Sequence, residues 1–183
     1  MAFGHTHTLM RYYLQKSNEF NESLFDAVYS YSEKIALDFL KDHYTPERVE
    51  EFGGPREAFK LFYKHNAPPP YFFIEGYEIL PDGALHPQGY FAAGIREKTL
   101  FVTVFLSARR PNTDRPVVAD PQMWVDVMSW SKEQGCDRFL WMSHPSGRIW
   151  KALKMMEPKI TYPVTYTVID EKNAHMELDL RAA

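Results

Sequence analysis

The sequence of 183 residues contains one cysteine, Cys136. A single cysteine excludes an intrachain disulfide and a zinc site built from cysteines, and we predict no metal site. The chain also lacks an apolar run near the ~20 residues that a transmembrane helix needs. Its first residues do not form the charged and then apolar segments of a secretory signal. We therefore predict a cytoplasmic location and no membrane partner.

Neither sign of charge dominates the sequence. Lys and Arg total 21, Asp and Glu total 24, and the net charge is -3. Because nucleic-acid-binding domains usually carry a basic surface, we expect no general nucleic-acid binding. The glycine fingerprints of phosphate and dinucleotide sites and the serine of a nucleophile elbow are also missing.

Aromatic residues, in contrast, are abundant. They make up 15% of the chain within an apolar fraction of 45%, which is typical of a packed core. The length fits one domain, 1–183, with an opening strand and helical part over 1–66 and a sheet-rich part over 67–183. The four tryptophans fall in or beside one strand–helix–strand unit, where we expect them mainly to fill the core: Trp124, Trp130, Trp141 and Trp150.

Three helices are predicted in the first part of the chain. After a weak opening strand over His5–Gln15, a helix runs from an Asn21 N-cap to Leu40. Thr45–Pro46 and Pro55 begin the other two helices. Helical spacing places five residues of the first helix on one inward face: Leu24, Val28, Tyr31, Ile35 and Phe39.

The second part of the chain reads mostly as strands separated by turns. The elements are strands over Tyr71–Leu80, Gln88–Arg96 and Leu100–Ser107, a helix over Gln122–Gln134, a strand over Arg138–Ser143, a helix between Ser146 and Pro158, and strands over Tyr162–Asp170 and His175–Leu180. The unit from Leu100 to Ser143 implies a right-handed crossover and a parallel pair. We predict an α/β (α+β) fold with a mixed, mostly antiparallel sheet of about six or seven strands and helices on both faces.

This order of elements resembles the Gcn5-related N-acetyltransferase (GNAT) superfamily over nearly the whole chain. The last eighty residues are the most similar stretch. The resemblance implies that the strands Leu100–Ser107 and Phe139–Ser143 splay apart and hold acyl-CoA, here acetyl-CoA, in the gap. In that family the pantetheine pairs with the exposed backbone of the first strand, which assigns cofactor contacts to Phe105 and Ser107. The pyrophosphate lies at the loop and helix N-terminus that follow.

The loop over 109–119 departs from the glycine-rich pattern of that family, because it contains two prolines and no glycine. We therefore assign phosphate binding to the side chains of Arg109, Arg110 and Arg115, since guanidinium groups recognise phosphate directly. The alternative is that this loop is a solvated basic surface.

The positions that carry the family's chemistry are also altered. Leu153 stands where the family often has a tyrosine that protonates the departing thiolate. His144 stands where the family often has an asparagine, directly after a buried strand, and it is the candidate catalytic base for an amine. The alternative for His144 is a loop histidine that hydrogen-bonds to backbone.

Two hypotheses on function follow. The first is a GNAT-fold protein with an eroded acyl-CoA site that acts as a non-enzymatic interaction or structural component, with a protein partner or a larger assembly. Some viruses of bacteria carry such degenerate proteins, and a phage virion is then the expected location. The alternative is an active N-acyltransferase that moves an acetyl group from acetyl-CoA to an amine. An open gap between splayed strands favours the enzyme, and a gap filled by side chains argues against activity.

Overall fold

The computed structural model describes residues 12–65, 71–107, 121–143, 160–171 and 173–182. Within them the chain forms β1 (Tyr12–Ser17), α1 (Glu22–His43), α2 (Pro46–Glu51), α3 (Pro55–His65), β2 (Tyr71–Ile79), β3 (Leu85–Arg96), β4 (Thr99–Ser107), α4 (Pro121–Glu133), β5 (Arg138–Ser143), β6 (Val164–Val168) and β7 (Ala174–Asp179). The loop over 109–119 and the helix predicted between Ser146 and Pro158 lie outside the described residues. None of the described helices is both long enough and apolar enough to cross a membrane.

The seven strands form one sheet in the order β1-β2-β3-β4-β5-β7-β6. The pair β4–β5 is parallel, and the five other neighbouring pairs are antiparallel. The predicted mixed, mostly antiparallel sheet is therefore confirmed, and so is the parallel pair made by the crossover through α4. β4 occupies the middle of the sheet, in agreement with its apolar character on both faces.

Helices cover both faces of the sheet, as predicted. α1 and α3 cover one face through a largely aromatic cluster that includes Phe25, Tyr29, Phe59, Tyr63, Phe73 and Tyr90. α4 covers the other face, where its predicted apolar stripe is buried at Met123, Val127 and Trp130. Trp130 and Trp141 are both core residues, in agreement with a packing role. Trp150 lies outside the described residues.

The long helix α1 begins as predicted, and its buried face includes the predicted Leu24 and Val28 but not Tyr31. The Leu24 N–H donates to Asn21 Oδ1 at 3.0 Å, which confirms the N-cap. The helix ends at His43, three residues past the predicted end. The inward orientation predicted for Tyr31 is wrong, because this side chain is 52% exposed. A row at four-residue spacing is buried instead, and it contains two small residues that hydrophobicity does not mark: Leu24, Val28, Ser32, Ala36 and Leu40.

Most strand bounds agree with the sequence within a residue, and three differ more. β1 ends at Ser17, two residues beyond the predicted end, while the earlier part of that prediction lies outside the described residues. β3 begins at Leu85 rather than Gln88 because the first residues still pair with the end of β2. β6 is shorter than the predicted Tyr162–Asp170, since only Val164–Val168 pair with β7.

The tight turns follow their sequence signals. Gly83 has φ +83° in the turn between β2 and β3, a conformation that glycine adopts without strain. Glu97 and Lys98, the two residues between β3 and β4, have φ of +48° and +59°. Two left-handed residues suit a two-residue hairpin turn because their twist matches that of the strands. This turn fixes the register at one end of the β3–β4 pair.

Candidate functional site

The parallel strands β4 and β5 are paired along only part of their length. Their register joins Thr99–Val102 to Arg138–Trp141 and ends there. β4 continues through residues 103–107, whereas the last residues of β5 pair on their other side with β7. At ~3.3 Å per residue, β4 therefore runs ~16 Å past its last pair with the described part of β5. The pairing of the two strands therefore ends at the place from which the resemblance implies that they splay apart.

A bulge in β4 marks the point at which this separation begins. On β3, Ala92 faces Val104 and Ala93 faces Val102, so Thr103 is an extra residue in β4. The Thr103 hydroxyl donates to the Ala92 carbonyl oxygen at 3.2 Å. Bulges bend a strand and disrupt its ladder, and they are frequent beside functional sites. Because Thr103 directly follows the last β4–β5 pair, the bulge is a local structural reason for the gap.

Two aromatic rings close the side of the gap that faces α4. The bulge reverses the alternation of β4, so that Val102 and Phe105 both belong to the core under α4. The Phe105 ring meets the Trp141 ring edge to face, with centroids 5.8 Å apart and planes at 80°. Both side chains are buried. Met142 points to the opposite face of the sheet by strand alternation and is 43% exposed there.

The first turn of α4 packs tightly beside the outer end of the gap. Met123 lies against Gly76 and Gly89, which face each other on β2 and β3. A Cβ atom added at Gly89 would collide with Met123 Cε and would lie 3.1 Å from Phe105 Cε2. Because Gly89 also faces Ser107, the last residue of β4, this contact brings the N-terminus of α4 to the open end of the gap. A helix N-terminus favours negatively charged groups.

The residues predicted for the site fall into two groups. Arg109, Arg110, Arg115 and His144 lie outside the described residues, so their roles stay predictions. Phe105 and Ser107 lie on the β4 segment past the last β4–β5 pair, where the backbone can make the predicted cofactor contacts. The Phe105 side chain itself is buried in the core. The cofactor roles of both residues also stay predictions.

Several solved acetyltransferase structures have this architecture. An acetyltransferase of the GNAT family from Bacillus anthracis matches 93% of this chain and 96% of its own, with a TM-score of 0.51 and 12% sequence identity. This chain has the GNAT fold. The PaiA N-acetyltransferase from Thermoplasma acidophilum in complex with coenzyme A matches 91% of this chain and 99% of its own, with a TM-score of 0.51 and 12% identity.

A third GNAT-like structure, aminoglycoside 6'-acetyltransferase type Ii, has a TM-score of 0.54 over 92% of this chain and 97% of its own. Its sequence identity is 8%. No protein-family model matches the sequence, and no curated protein matches it. At such low identities the likeness concerns the fold, which confirms the resemblance inferred from the order of the elements.

On the face of the GNAT-fold sheet opposite α4, a polar network attaches the start of α1 to the strands. Glu75 on β2 is buried; its Oε1 accepts from Asn21 Nδ2 at 3.1 Å, and its Oε2 accepts from the Tyr77 hydroxyl at 2.7 Å. The Asn21 N–H donates to the Tyr90 hydroxyl at 2.8 Å, and the Tyr63 hydroxyl donates to the Tyr90 carbonyl. Our sequence analysis did not identify this network, although a glutamate inside an apolar strand was the available signal.

The tyrosines of this network are held in their neutral form. Burial raises the pKa of Tyr77, and its hydrogen bond to the Glu75 carboxylate raises that pKa further. Burial is also the main cause that raises the pKa of Tyr90 and of Tyr63. A neutral phenol can donate a hydrogen bond to a carboxylate or a carbonyl, so the raised pKa values keep these donors protonated to a higher pH than that of an ordinary tyrosine.

The described residues offer neither a metal site nor a reactive thiol. Among the described residues, His, Cys, Asp and Glu side chains do not form a group of three or more that could hold a metal ion. Cys136 is buried just after α4, and burial raises the pKa of its thiol. Because the thiolate is the reactive form, a raised pKa argues for a structural cysteine, as expected from the sequence.

Proposed function

We propose that this chain binds acetyl-CoA in the gap between β4 and β5 and transfers the acetyl group to an amine. The observation that carries the proposal is that the β4–β5 pairing ends at Val102 and Trp141 while the edge of β4 continues to Ser107. Pantetheine is a peptide-like chain with two amide groups. It can therefore add to this edge as an extra strand would, through main-chain hydrogen bonds.

The orientation of the gap fits such a cofactor. The gap opens toward the carboxyl ends of two parallel strands, which is the general position of ligands in open α/β sheets. The phosphate groups would lie at this outer end, close to the N-terminus of α4 and to the predicted ligands Arg109, Arg110 and Arg115. Coenzyme A bound to the PaiA structure supports a cofactor of this class.

The proposed reaction is a direct transfer. The amine nitrogen forms a bond to the thioester carbonyl carbon, the carbon–sulfur bond breaks, the nitrogen loses a proton to a base and the departing thiolate gains one. A backbone N–H of β4 beyond Val102 can donate to the carbonyl oxygen while negative charge develops on it. His144, directly after β5, is the candidate base.

A second candidate function is an interaction or structural protein that retains an acyl-CoA-type cleft without chemistry. The observation that favours it is the composition of the gap borders, since residues 103–107 and 141–143 contain no carboxylate, imidazole or thiol. A protein of this kind needs a protein partner or a larger assembly, of which a phage virion is one example. The Phe105 and Trp141 rings that close one side of the gap also favour this candidate, since a gap filled by side chains argues against activity.

Calorimetric titration with acetyl-CoA, combined with hydrogen exchange, tests the site. We expect saturable binding and slower exchange of backbone amides within residues 103–107, because pantetheine would pair with that edge. Residues 71–79 of β2 provide the control segment, since β2 pairs with β1 and β3 and with neither border of the gap. Absence of binding at millimolar acetyl-CoA would rule out the proposed site.

Turnover then separates the two candidate functions. Acetyl-CoA is incubated with a panel of peptide N-termini, polyamines and amino sugars, and free thiol is measured against the protein-free rate. We expect the His144→Gln variant to keep acetyl-CoA binding and to lose roughly 10²–10⁴-fold in turnover, as for other general bases. Binding without any amine-dependent thiol release favours the interaction protein instead.

A further inference from the structure

A groove between α1 and α2 leaves part of the apolar core open to solvent. Its volume is about 400 Å³, within the ~300–1,000 Å³ that is usual for binding clefts. It lies apart from the proposed cofactor site, because its lining comes from α1, α2, the link between them and the start of α3. The lining includes Leu37, Leu40, Lys41, Tyr44, Val49 and Glu50.

The apolar side chains of this groove are only partly covered by the chain itself. Leu40 is 2% exposed, whereas Leu37, Tyr44 and Val49 are half-buried. The lining residues of α1 follow helical spacing, so they form one row along the groove. Across from this row, α2 has no buried residue. An apolar group placed between the two helices would therefore remove further apolar surface from water, which is favourable.

The surroundings of the groove are acidic. Residues 37–55 have a net charge of -3, because two basic side chains are outnumbered by five acidic ones: Lys41 and Arg48 against Asp38, Asp42, Glu47, Glu50 and Glu51. Both basic groups already have acidic partners, since Lys41 pairs with Asp38 at 3.5 Å and Arg48 pairs with Glu51.

The other three carboxylates, on Asp42, Glu47 and Glu50, are exposed and have no lysine or arginine partner among the described residues. Glu50 lines the groove, and Glu47 lies three residues before it on α2. Residues at this spacing are neighbours on a helix surface. Two negative charges therefore border the α2 side of the groove.

We propose that this groove docks a basic amphipathic helix from a protein partner. The helix would place its apolar side chains on Leu37, Leu40 and Val49, and its Lys or Arg side chains opposite Glu47 and Glu50. Amphipathic helices are recognised in this way, with their apolar face in a hydrophobic groove. The exposed rim fits a helix that stays partly in solvent, whereas a small-molecule site buries most of its ligand. The acidic border favours a basic partner over an acidic one.

The test measures binding of labelled peptides to the full chain by fluorescence anisotropy. The probe is a peptide of ~14 residues, about four helical turns, with leucines at i, i+3, i+4 and i+7 spacing and lysines elsewhere. One comparison peptide has glutamate in place of lysine. A second has the composition of the probe in an order that is not amphipathic. Chemical shifts of ¹⁵N-labelled chain then locate the bound probe.

Two groove variants and two matched controls complete the test. Val49→Ser removes an apolar contact, and Glu50→Lys reverses a charge at the rim. The controls make the same changes at exposed positions on β6 and in the turn after it, Val168→Ser and Glu171→Lys. Circular dichroism checks that each variant is folded. If Val49→Ser does not fold, Val49→Thr, which keeps the shape of the side chain but adds a hydroxyl, takes its place.

We expect the basic amphipathic probe to bind saturably, with one peptide per chain and shift changes concentrated in residues 37–55. Each groove variant should weaken binding about tenfold or more, through loss of an apolar anchor or of charge complementarity. The two controls should leave the affinity unchanged. Both comparison peptides should bind about tenfold or more weakly than the probe.

Several results would overturn the proposal. These are equal binding of the two basic peptides, unchanged affinity in both groove variants, or shift changes concentrated outside residues 37–55. Light scattering of the chain alone tests a second copy as the occupant, which a dimer that Val49→Ser dissociates would indicate instead. Hexylamine tests a small amphiphile, and shift changes at the groove with this amine but not with the peptide would also show that the proposed occupant is wrong.

Discussion

Asn21 makes two separate contributions to stability, and substitutions at this position can measure each. Its Oδ1 accepts the Leu24 N–H and caps α1, while its Nδ2 donates to Glu75 Oε1 at 3.1 Å. Glu75 is only 5% exposed, so water cannot readily replace a lost donor there. Substitutions that keep the cap but remove the amide donor therefore separate these two contributions to stability.

The expected magnitudes differ between three substitutions. Loss of an N-cap costs about 1 kcal/mol, and loss of a hydrogen bond to a charged group costs about 1.5–3 kcal/mol. Asn21→Ala loses both, so we expect about 2.5–4 kcal/mol of destabilisation. Asn21→Ser keeps the cap and should lose about 1.5–3 kcal/mol. Asn21→Asp also keeps the cap, but it places a carboxylate oxygen against Glu75 and should be less stable than Asn21→Ser.

Urea unfolding provides the free energies of unfolding for this series. Aspartate is as good an N-cap as asparagine and suits the helix dipole, so capping alone predicts no loss for Asn21→Asp. Stability of Asn21→Asp equal to that of the unmodified chain would therefore refute the role of the Glu75 contact. Adding Glu75→Gln to Asn21→Asp should recover part of the lost stability, because the glutamine amide can then donate to the aspartate carboxylate.

Two further predictions concern packing and charge. Gly89→Ala should destabilise the protein by about 1–3 kcal/mol, because the added methyl group overpacks against Met123. In a double-mutant cycle, this loss of stability should be smaller when Met123 is also replaced by alanine. An equal loss with Met123 and with Ala at position 123 would contradict the contact. Arg181 lowers the pKa of Asp179 from 3.8 to about 2. The carboxylate therefore contributes stability above pH 3.8 that is lost as the pH falls through about 2, and Arg181→Ala should return the pKa, measured by NMR titration, toward its usual value. A pKa that stays near 2 in that variant would contradict the assignment.

Local signals were sufficient for most elements of the fold. The Asn21 side chain, the glycine in the turn after β2 and Gly135 after α4 mark boundaries that the structure confirms, because each acts on its own backbone neighbours. The strand–helix–strand spacing was sufficient for the parallel pair, since parallel strands need a crossover connection, which is usually a helix. The buried face of α1, in contrast, could not be predicted fully from hydrophobic spacing. There the sheet accepts small residues such as Ser32 and Ala36, and the choice of face depends on what lies opposite.

The polar network around Glu75 also depends on distant parts of the chain. Its donors come from the residue before α1 and from Tyr77, and the neighbouring tyrosine contacts join β3 to α3. The sequence shows that Glu75 interrupts an apolar strand. Its partners can be identified only when the packing of the strands and helices is known. A buried carboxylate is tolerated only when such partners are present.

The bulge in β4 follows from a count that involves two strands. Residues 89–96 of β3 face residues 99–107 of β4, so β4 has one residue more and must bulge. The sequence of β4 does not reveal where the bulge lies. The strand is apolar on both faces, so similar side chains would be buried whether or not the alternation is shifted by one residue. The two-residue turn fixes the register at one end, and the Gly89–Ser107 pair fixes it at the other. The extra residue falls at Thr103, directly after the last residue of β4 that pairs with β5.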